Sequence, residues 1–342
     1  MARRGEFALI ETLFAPLAEG FPGALGLKDD AALLEPPMGR SVVVTADALV
    51  AGVHFRPADP PDLIARKLVR VNLSDLAAMG AEPWAMLLTA AFPDSVDESW
   101  IVRFAEGLGA DGRSFGVPLI GGDTVATPGP ATFSLTAFGL VEQGLALRRS
   151  GARPGDILYV TGTLGDSALG LLAVTGRLAV TPGESVAVDY LVERYHLPRP
   201  RLAVGRGLVG LAHACMDVSD GLLQDLSHLC RCSGVGAQVR AEHLPVSPAV
   251  AWFMDQGAPS GEGTWLETII AGGDDYELLF SAPPGVEDAL ARLAAATDTP
   301  IAAVGTLTAG DSVIVLDKEG RGVSFSRWGY QHFGAPGAMP LQ

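Results

Sequence analysis

Residues 41–47 read Ser-Val-Val-Val-Thr-Ala-Asp. The β-branched run predicts a buried strand over Ser41–Thr45, with Ala46 and Asp47 placing an acid at its end. Downstream, Pro60 and Pro61 open a helix running to about Met79, with Leu63, Ile64, Leu68, Val71 and Leu76 at helical spacing and Gly80 behind it as the C′ residue. Strand and helix go on alternating. Trp84–Phe92 predicts a strand, Asp97–Phe115 a helix, and Val117–Ile120 a short strand entering the turn Gly121-Gly122. Ala131–Val141 predicts another strand, with Phe133, Leu135, Ala137 and Gly139 on one face.

Arg148–Asp156 breaks this pattern with Arg-Arg-Ser-Gly-Ala-Arg-Pro-Gly-Asp, a turn-rich linker. It sets a boundary between residues 1–148 and 149–342, as the length of 342 residues suggests at about 150 residues per domain. Beyond it the pattern predicts a strand over Ile157–Thr161, helices over Gly165–Gly176, Pro200–Ala214 and Leu222–Cys232, and strands over Tyr276–Ser281 and Ile301–Leu307. An Ala-rich helix over Val286–Ala296 separates the last two.

Composition excludes several classes. The net charge of −15 argues against a nucleic-acid binder, whose affinity rests on Lys and Arg against phosphate. Hydrophobic residues at 48% supply sizeable cores, so disorder is not expected. Three cysteines cannot build a disulfide framework, and no apolar run is long enough to span a bilayer or form a signal peptide. A soluble cytoplasmic protein that does not bind membranes is expected.

The chemistry lies in the acids. Asp29, Asp30, Asp47, Asp75, Asp123, Asp217, Asp220, Asp274 and Asp275 lie at apparent element ends, several beside glycine, each next to an apolar stretch. For any one of them capping suffices as an explanation. Converging carboxylates, however, repel one another unless cations intervene, and Mg²⁺ takes one or two carboxylates together with phosphate oxygens and water. The set therefore points to a polyacidic Mg²⁺ site for a phosphate-bearing substrate. Gly121-Gly-Asp-Thr124 and Gly162-Thr-Leu-Gly-Asp-Ser167 offer turn amides for phosphate. Neither fits the Walker pattern, and no dinucleotide fingerprint follows a strand. His54 is either a structural hydrogen-bonder or a substrate contact, and Arg149 either a solvated linker charge or a phosphate contact. Cys230-x-Cys232 lacks the second pair that zinc requires.

Taken in order, Asp29-Asp30-Ala-Ala, Thr45-Ala-Asp47, Gly52-Val-His54-Phe, Asn72-Leu-Ser-Asp75-Leu-Ala-Ala-Met-Gly80, Gly121-Gly-Asp-Thr124, Asp217-Val-Ser-Asp-Gly221, Gly272-Gly-Asp-Asp-Tyr-Glu-Leu278 and Gly329-Tyr-Gln-His-Phe333 become specific. From about Gly5 to Phe333 the chain resembles the thiamine-monophosphate kinase family, within the superfamily that contains aminoimidazole ribonucleotide synthetase. The resemblance implies a mixed α+β fold of two synthetase-like domains. The N-terminal one is a sheet with helices, carrying the metal and ATP site and the dimer interface; the C-terminal one is an α/β sandwich. It implies transfer of the ATP γ-phosphoryl group to thiamine monophosphate in a homodimer using several Mg²⁺ ions, the strands near Val42 and Leu135 forming the interface. Carried over by position, Asp30, Thr45, Ala46, Asp47, Asp75, Asp123, Asp217 and Asp220 hold metal; Gly122, Asp123, Arg149 and Ser219 meet ATP; His54, Asp274 and Tyr330 meet thiamine monophosphate.

Two positions depart from the family pattern. Ala46 replaces a hydroxyl residue and can offer only its carbonyl, and Asp274 replaces a glutamate one methylene longer. Phosphoryl transfer rests on in-line positioning and charge neutralisation, so no covalent nucleophile or essential general base is expected. The rival readings are another ATP-dependent member of the superfamily, such as aminoimidazole ribonucleotide synthetase, and a catalytically silent Mg²⁺–nucleotide binder. The relatives that use a cysteine near the N-terminus or at the C-terminus are excluded, because the first cysteine is Cys215 and the chain ends Pro-Leu-Gln.

Overall fold

A computed structural model describes residues 4–178, 185–256 and 264–332. These group into two compact units, one within Met1–Leu76 and Ala81–Gly144 and the other within Ala77–Gly80 and Leu145–Ala338.

The first unit opens with a short helix α1 (Glu6–Leu9) and single helical turns up to Leu27. Its sheet has the order β1-β4-β2-β3, built from β1 (Arg40–Val50), β2 (Glu82–Pro93), β3 (Leu119–Thr127) and β4 (Thr132–Glu142). β4 pairs antiparallel with β1 and β2, and β3 runs parallel to β2 at the far edge. The period-2 pattern on β4 buries Phe133, Leu135 and Ala137, as the sequence predicts. Helices α2 (Pro61–Ala78) and α3 (Glu98–Phe115) complete the unit. The α3 boundaries follow their signals, with Asp97 accepting from the Trp100 amide as N-cap and Gly116 left-handed at φ +65°. Phe92, Phe104 and Phe133 pack together, the last two with ring centroids 4.5 Å apart.

Two expectations change here. β1 runs to Val50, so Asp47 lies within the strand and not at its end. Gly121-Gly-Asp-Thr124 is part of β3 rather than a tight turn. The reason is steric: a Cβ on Gly122 would sit 1.8 Å from the Leu88 carbonyl oxygen, so glycine is what allows β3 to pair here.

The second unit is a seven-stranded sheet of order β11-β10-β7-β9-β5-β8-β6. Its strands are β5 (Ile157–Thr161), β6 (Ala214–Val218), β7 (Gly236–Arg240), β8 (Glu277–Ala282), β9 (Ile301–Thr308), β10 (Val313–Leu316) and β11 (Gly322–Val323). All neighbours are antiparallel except β10 and β7. Both faces of the central strands are buried, which is why they read as continuous apolar runs. Leu158, Val160, Met216 and Leu279 join one core cluster, whereas Tyr159, Cys215, Leu278 and Phe280 join another. The first cluster is completed by α4 (Asp166–Val174), α5 (Ser185–His196), α7 (Leu222–Ser233), α8 (Pro248–Asp255) and α9 (Trp265–Ala271); the second by α6 (Leu202–Leu208) and α10 (Glu287–Thr297). The helix expected over Pro200–Ala214 ends at Leu208, because Val209 takes a non-helical ψ of 122° and Gly210 turns left-handed at φ +81°. Among the described residues no helix is long and apolar enough to cross a membrane.

Candidate functional site

In the first unit, two α2 side chains one turn apart reach alternate residues of β1. The Thr45 hydroxyl donates to Asp75 Oδ2 at 2.5 Å, and the Asp47 amide donates to Asn72 Oδ1 at 3.0 Å. Asn72 is fully buried and anchored by its own Nδ2, which donates to the Leu68 carbonyl at 2.9 Å. This stapling gathers Thr45, Asp47 and Asp75, three of the expected metal ligands. Ala46 lies between them, opposite Thr136 of β4.

Asp123 is not gathered with them. It is exposed on β3, at the opposite edge of the sheet from β1, roughly 14 Å away at three strand spacings. Asp30 is exposed in an irregular segment, where its amide donates to Asp29 Oδ1. His54 follows β1 in a tight turn, and its Nδ1 accepts from the Val50 amide at 3.1 Å. That bond fixes the tautomer: the neutral ring carries its proton on Nε2, which can donate to an oxygen.

The second unit gathers more of the expected set. Asp217 is buried on β6, opposite Leu278 of β8. In the turn that follows, the amides of Ser219, Asp220 and Gly221 all donate to Asp225 Oδ2, at 3.0, 3.1 and 3.2 Å. Burial, and then the nearby Asp220 carboxylate, push Asp225 up to about 7, opposed by those three amides. From the other side, the amides of Asp274 and Tyr276 donate to the carbonyls of Ser219 and Val218, both at 2.8 Å. Asp274 and Tyr276 are left-handed, at φ +68° and +52°, a conformation that costs about 1–2 kcal/mol per residue outside glycine. The Tyr330 amide donates to the Asp220 carbonyl at 2.9 Å. Asp217, Ser219, Asp220, Asp274 and Tyr330 thus converge on one turn. Arg149 lies exposed, its carbonyl accepting from the Ser233 hydroxyl at 3.0 Å.

One phosphate expectation is corrected. The Gly165 and Ser167 amides at the start of α4 donate to the Asp275 carboxylate, at 2.8 and 3.3 Å. The protein's own buried carboxyl group occupies the position where phosphate was expected. Burial holds Asp275 well above the usual carboxylate range. Asn72, Gln224 and Asp225 are the site residues that sequence reasoning did not assign; Asn72 and Asp225 carried a local signal, one turn from Asp75 and four residues after Gly221 respectively. Asp275, counted among the acids of the expected metal site, instead accepts from the amides that open α4.

The donors suit a hard cation, being carboxylate and hydroxyl oxygens throughout. Among the described residues no three His, Cys, Asp or Glu side chains form a metal-holding group. The polyacidic cluster expected from the sequence is therefore not gathered within the described residues, and oxygen donors of this kind would leave Mg²⁺ to complete its shell with phosphate oxygens and water.

Residues 28–141 match the family model of AIR synthase related protein, N-terminal domain, and residues 153–318 the model of the C-terminal domain. A thiamine-monophosphate kinase of Caulobacter vibrioides is 42% identical over 327 residues, covering 96% of this chain and 90% of that protein. The crystal structure of a thiamine-monophosphate kinase from Stenotrophomonas maltophilia superposes with a TM-score of 0.80 at 42% identity, over 91% of this chain and 96% of that one. AaThiL complexed with AMPPCP and TMP superposes with a TM-score of 0.74 at 29% identity, over 97% and 99%.

Proposed function

The chain belongs to the thiamine-monophosphate kinase family, and from that premise we propose that it transfers the γ-phosphoryl group of ATP to thiamine monophosphate, yielding thiamine diphosphate and ADP. The observation that carries this reading is the likeness through both units, at 42% identity over 96% of the chain, to a protein of that activity. One P–O bond forms, from a phosphate oxygen of thiamine monophosphate to the γ-phosphorus. One breaks, and the β–γ bridging oxygen leaves on ADP with its electron pair. The attacking oxygen is already ionised near neutral pH, so no side chain need act as a general base.

Mg²⁺, when bound, supplies charge neutralisation between carboxylates and phosphate oxygens. Several such ions would be held, by the side chains of Asp30, Thr45, Asp47, Asp75 and Asp123 and the carbonyl of Ala46 in the first unit, and by the side chains of Asp217 and Asp220 in the second. Gly122, Asp123, Arg149 and Ser219 would position ATP. Asp274, Tyr330 and the Nε2–H of His54 would orient thiamine monophosphate. The pinned Ser219–Gly221 turn supports local prearrangement of Ser219 and Asp220 within the second unit.

The proposal includes a homodimer formed through the strands near Val42 and Leu135, β1 and β4; on β1, Val42 and Val44 are 38% and 57% exposed beside Ala46 and Ala48. It keeps the division at residues 148 and 149. It also places the protein in the cytoplasm, a compartment that suits three free cysteines. The test is incubation with Mg²⁺, ATP and thiamine monophosphate, with chromatography for thiamine diphosphate. Product with the monophosphate and none with free thiamine is expected, whereas no product while ATP still binds would refute the reading. A chiral γ-phosphate should invert, and retention would overturn direct transfer.

A further inference from the structure

The last described segment of the second unit is tied back onto the acidic turn. Besides the bond from the Tyr330 amide to the Asp220 carbonyl, the Gln224 amide donates to the Trp328 carbonyl at 3.2 Å. Between these two backbone links lies one side chain. Gln224 Nε2 donates to Asp220 Oδ2 at 2.9 Å and to the Tyr330 carbonyl at 2.7 Å. A primary amide has two N–H donors, and both are used. Both partners are acceptors, so the amide cannot be turned over without aiming its oxygen at a carboxylate and a carbonyl. Its Oε1 is buried and has no hydrogen-bond partner. The approach leaves no room at Gly329, where a Cβ would lie 2.7 Å from Gln224 Cβ and 2.8 Å from the Asp220 carbonyl oxygen.

We propose that Gln224 is a positioning residue that sets Asp220 and Tyr330 with a single amide group, so that the acid on the metal side and the aromatic on the thiamine side are placed together. The roles of Asp220 and Tyr330 rest on the kinase reading; the linkage between them is Gln224's own. Carboxylates that ligate metals are themselves oriented by hydrogen bonds, and losing such a partner costs about 10–100-fold in metal affinity or activity. Here the orienting group also holds the chain that bears Tyr330, so a disturbance on either side reaches the other through two hydrogen bonds.

The test uses two replacements of similar length in the full chain. Gln224→Met removes both donors, and Gln224→Glu removes them and sets a second carboxylate against Asp220. Hydrogen exchange of a peptide covering residues 324–332 reads the tie without any substrate. It should quicken about tenfold in Gln224→Met and more in Gln224→Glu. In kinetics, the KM for thiamine monophosphate should rise at least about fivefold and the half-saturating Mg²⁺ concentration should shift, while the KM for ATP stays within about twofold. Gly329→Ala pushes the segment away from the other side and should give the same pattern, so the proposal remains testable if a Gln224 variant misfolds. Unchanged exchange in all three variants would overturn the linkage. Faster exchange with unchanged KM and Mg²⁺ dependence would reduce Gln224 to packing. A wild-type protein that forms no thiamine diphosphate would refute the kinase reading and leave the exchange result standing.

Discussion

Replacing Asp275 offers the sharpest check on how the second unit is held together. Its carboxylate satisfies two buried amides, those of Gly165 and Ser167, across a separation of more than a hundred residues. Each buried donor left unpaired costs about 1–3 kcal/mol, so Asp275→Ala should lose about 2–6 kcal/mol, a large share of the 5–15 kcal/mol typical of a folded protein. Asp275→Asn keeps one acceptor oxygen and should lose about half as much. Burial raises the Asp275 pKa from the usual 3.8, so the folded chain keeps this proton to higher pH than the unfolded chain. Its contribution is complete below about pH 3.8 and fades as pH rises through the folded value. Asparagine has no such dependence, so the deficit of Asp275→Asn should shrink as pH rises. Urea unfolding followed by circular dichroism at several pH values measures all of this, with two transitions fitted if the units unfold separately. An alanine variant within about 0.5 kcal/mol of wild type, or an asparagine variant worse than alanine, would refute the reasoning. So would a deficit that grows with pH.

Further outcomes follow from the same geometry. Asp47→Asn and Asp217→Asn should each lower kcat by about tenfold or more at an unchanged melting temperature, and wild-type turnover would remove the residue from the site. Gly122→Ala puts a Cβ 1.8 Å from the Leu88 carbonyl oxygen at φ +150° and should destabilise by about 3 kcal/mol; an unmoved denaturation midpoint would contradict that. Burial pushes the Cys230 thiol up to about 11 and Cys215 further, whereas Cys232 is exposed. A thiol reagent should therefore modify one cysteine in the native protein and three in denaturant, and two fast-reacting native thiols would speak against the buried pair.

Much of the frame was legible because burial imposes a period. β4 alternates visibly, α3 carries Asp97 and Gly116 at its ends, and β5 lies where its apolar run predicts. Elements not read include β7, β10, β11, α8 and α9, in which few residues mark a face, and also the twelve-residue α5. The acids were legible by type but not by company. Nothing local shows that Asp75 meets Thr45, that Asp123 lies on the far edge of the sheet, or that Asp275 fills the amides of Gly165 and Ser167. Those pairings belong to segments that meet only after folding. Gly121-Gly122 misled for a definite reason: a glycine pair signals a turn unless a neighbouring carbonyl demands the space, and the Leu88 carbonyl does.

The strand order of the second unit has a consequence during synthesis. β5 lies between β8 and β9, so its partners are made more than a hundred residues after it. A ribosome adding 5–20 residues per second needs roughly 7–30 s to pass from Thr161 to Thr308. Leu158, Tyr159 and Val160 wait without β8 until Ala282 has been added and without β9 until Thr308. The nascent second unit therefore depends on whatever shields apolar segments in the cell, and slowing translation beyond Thr161 should lower its soluble yield before any effect on the finished protein.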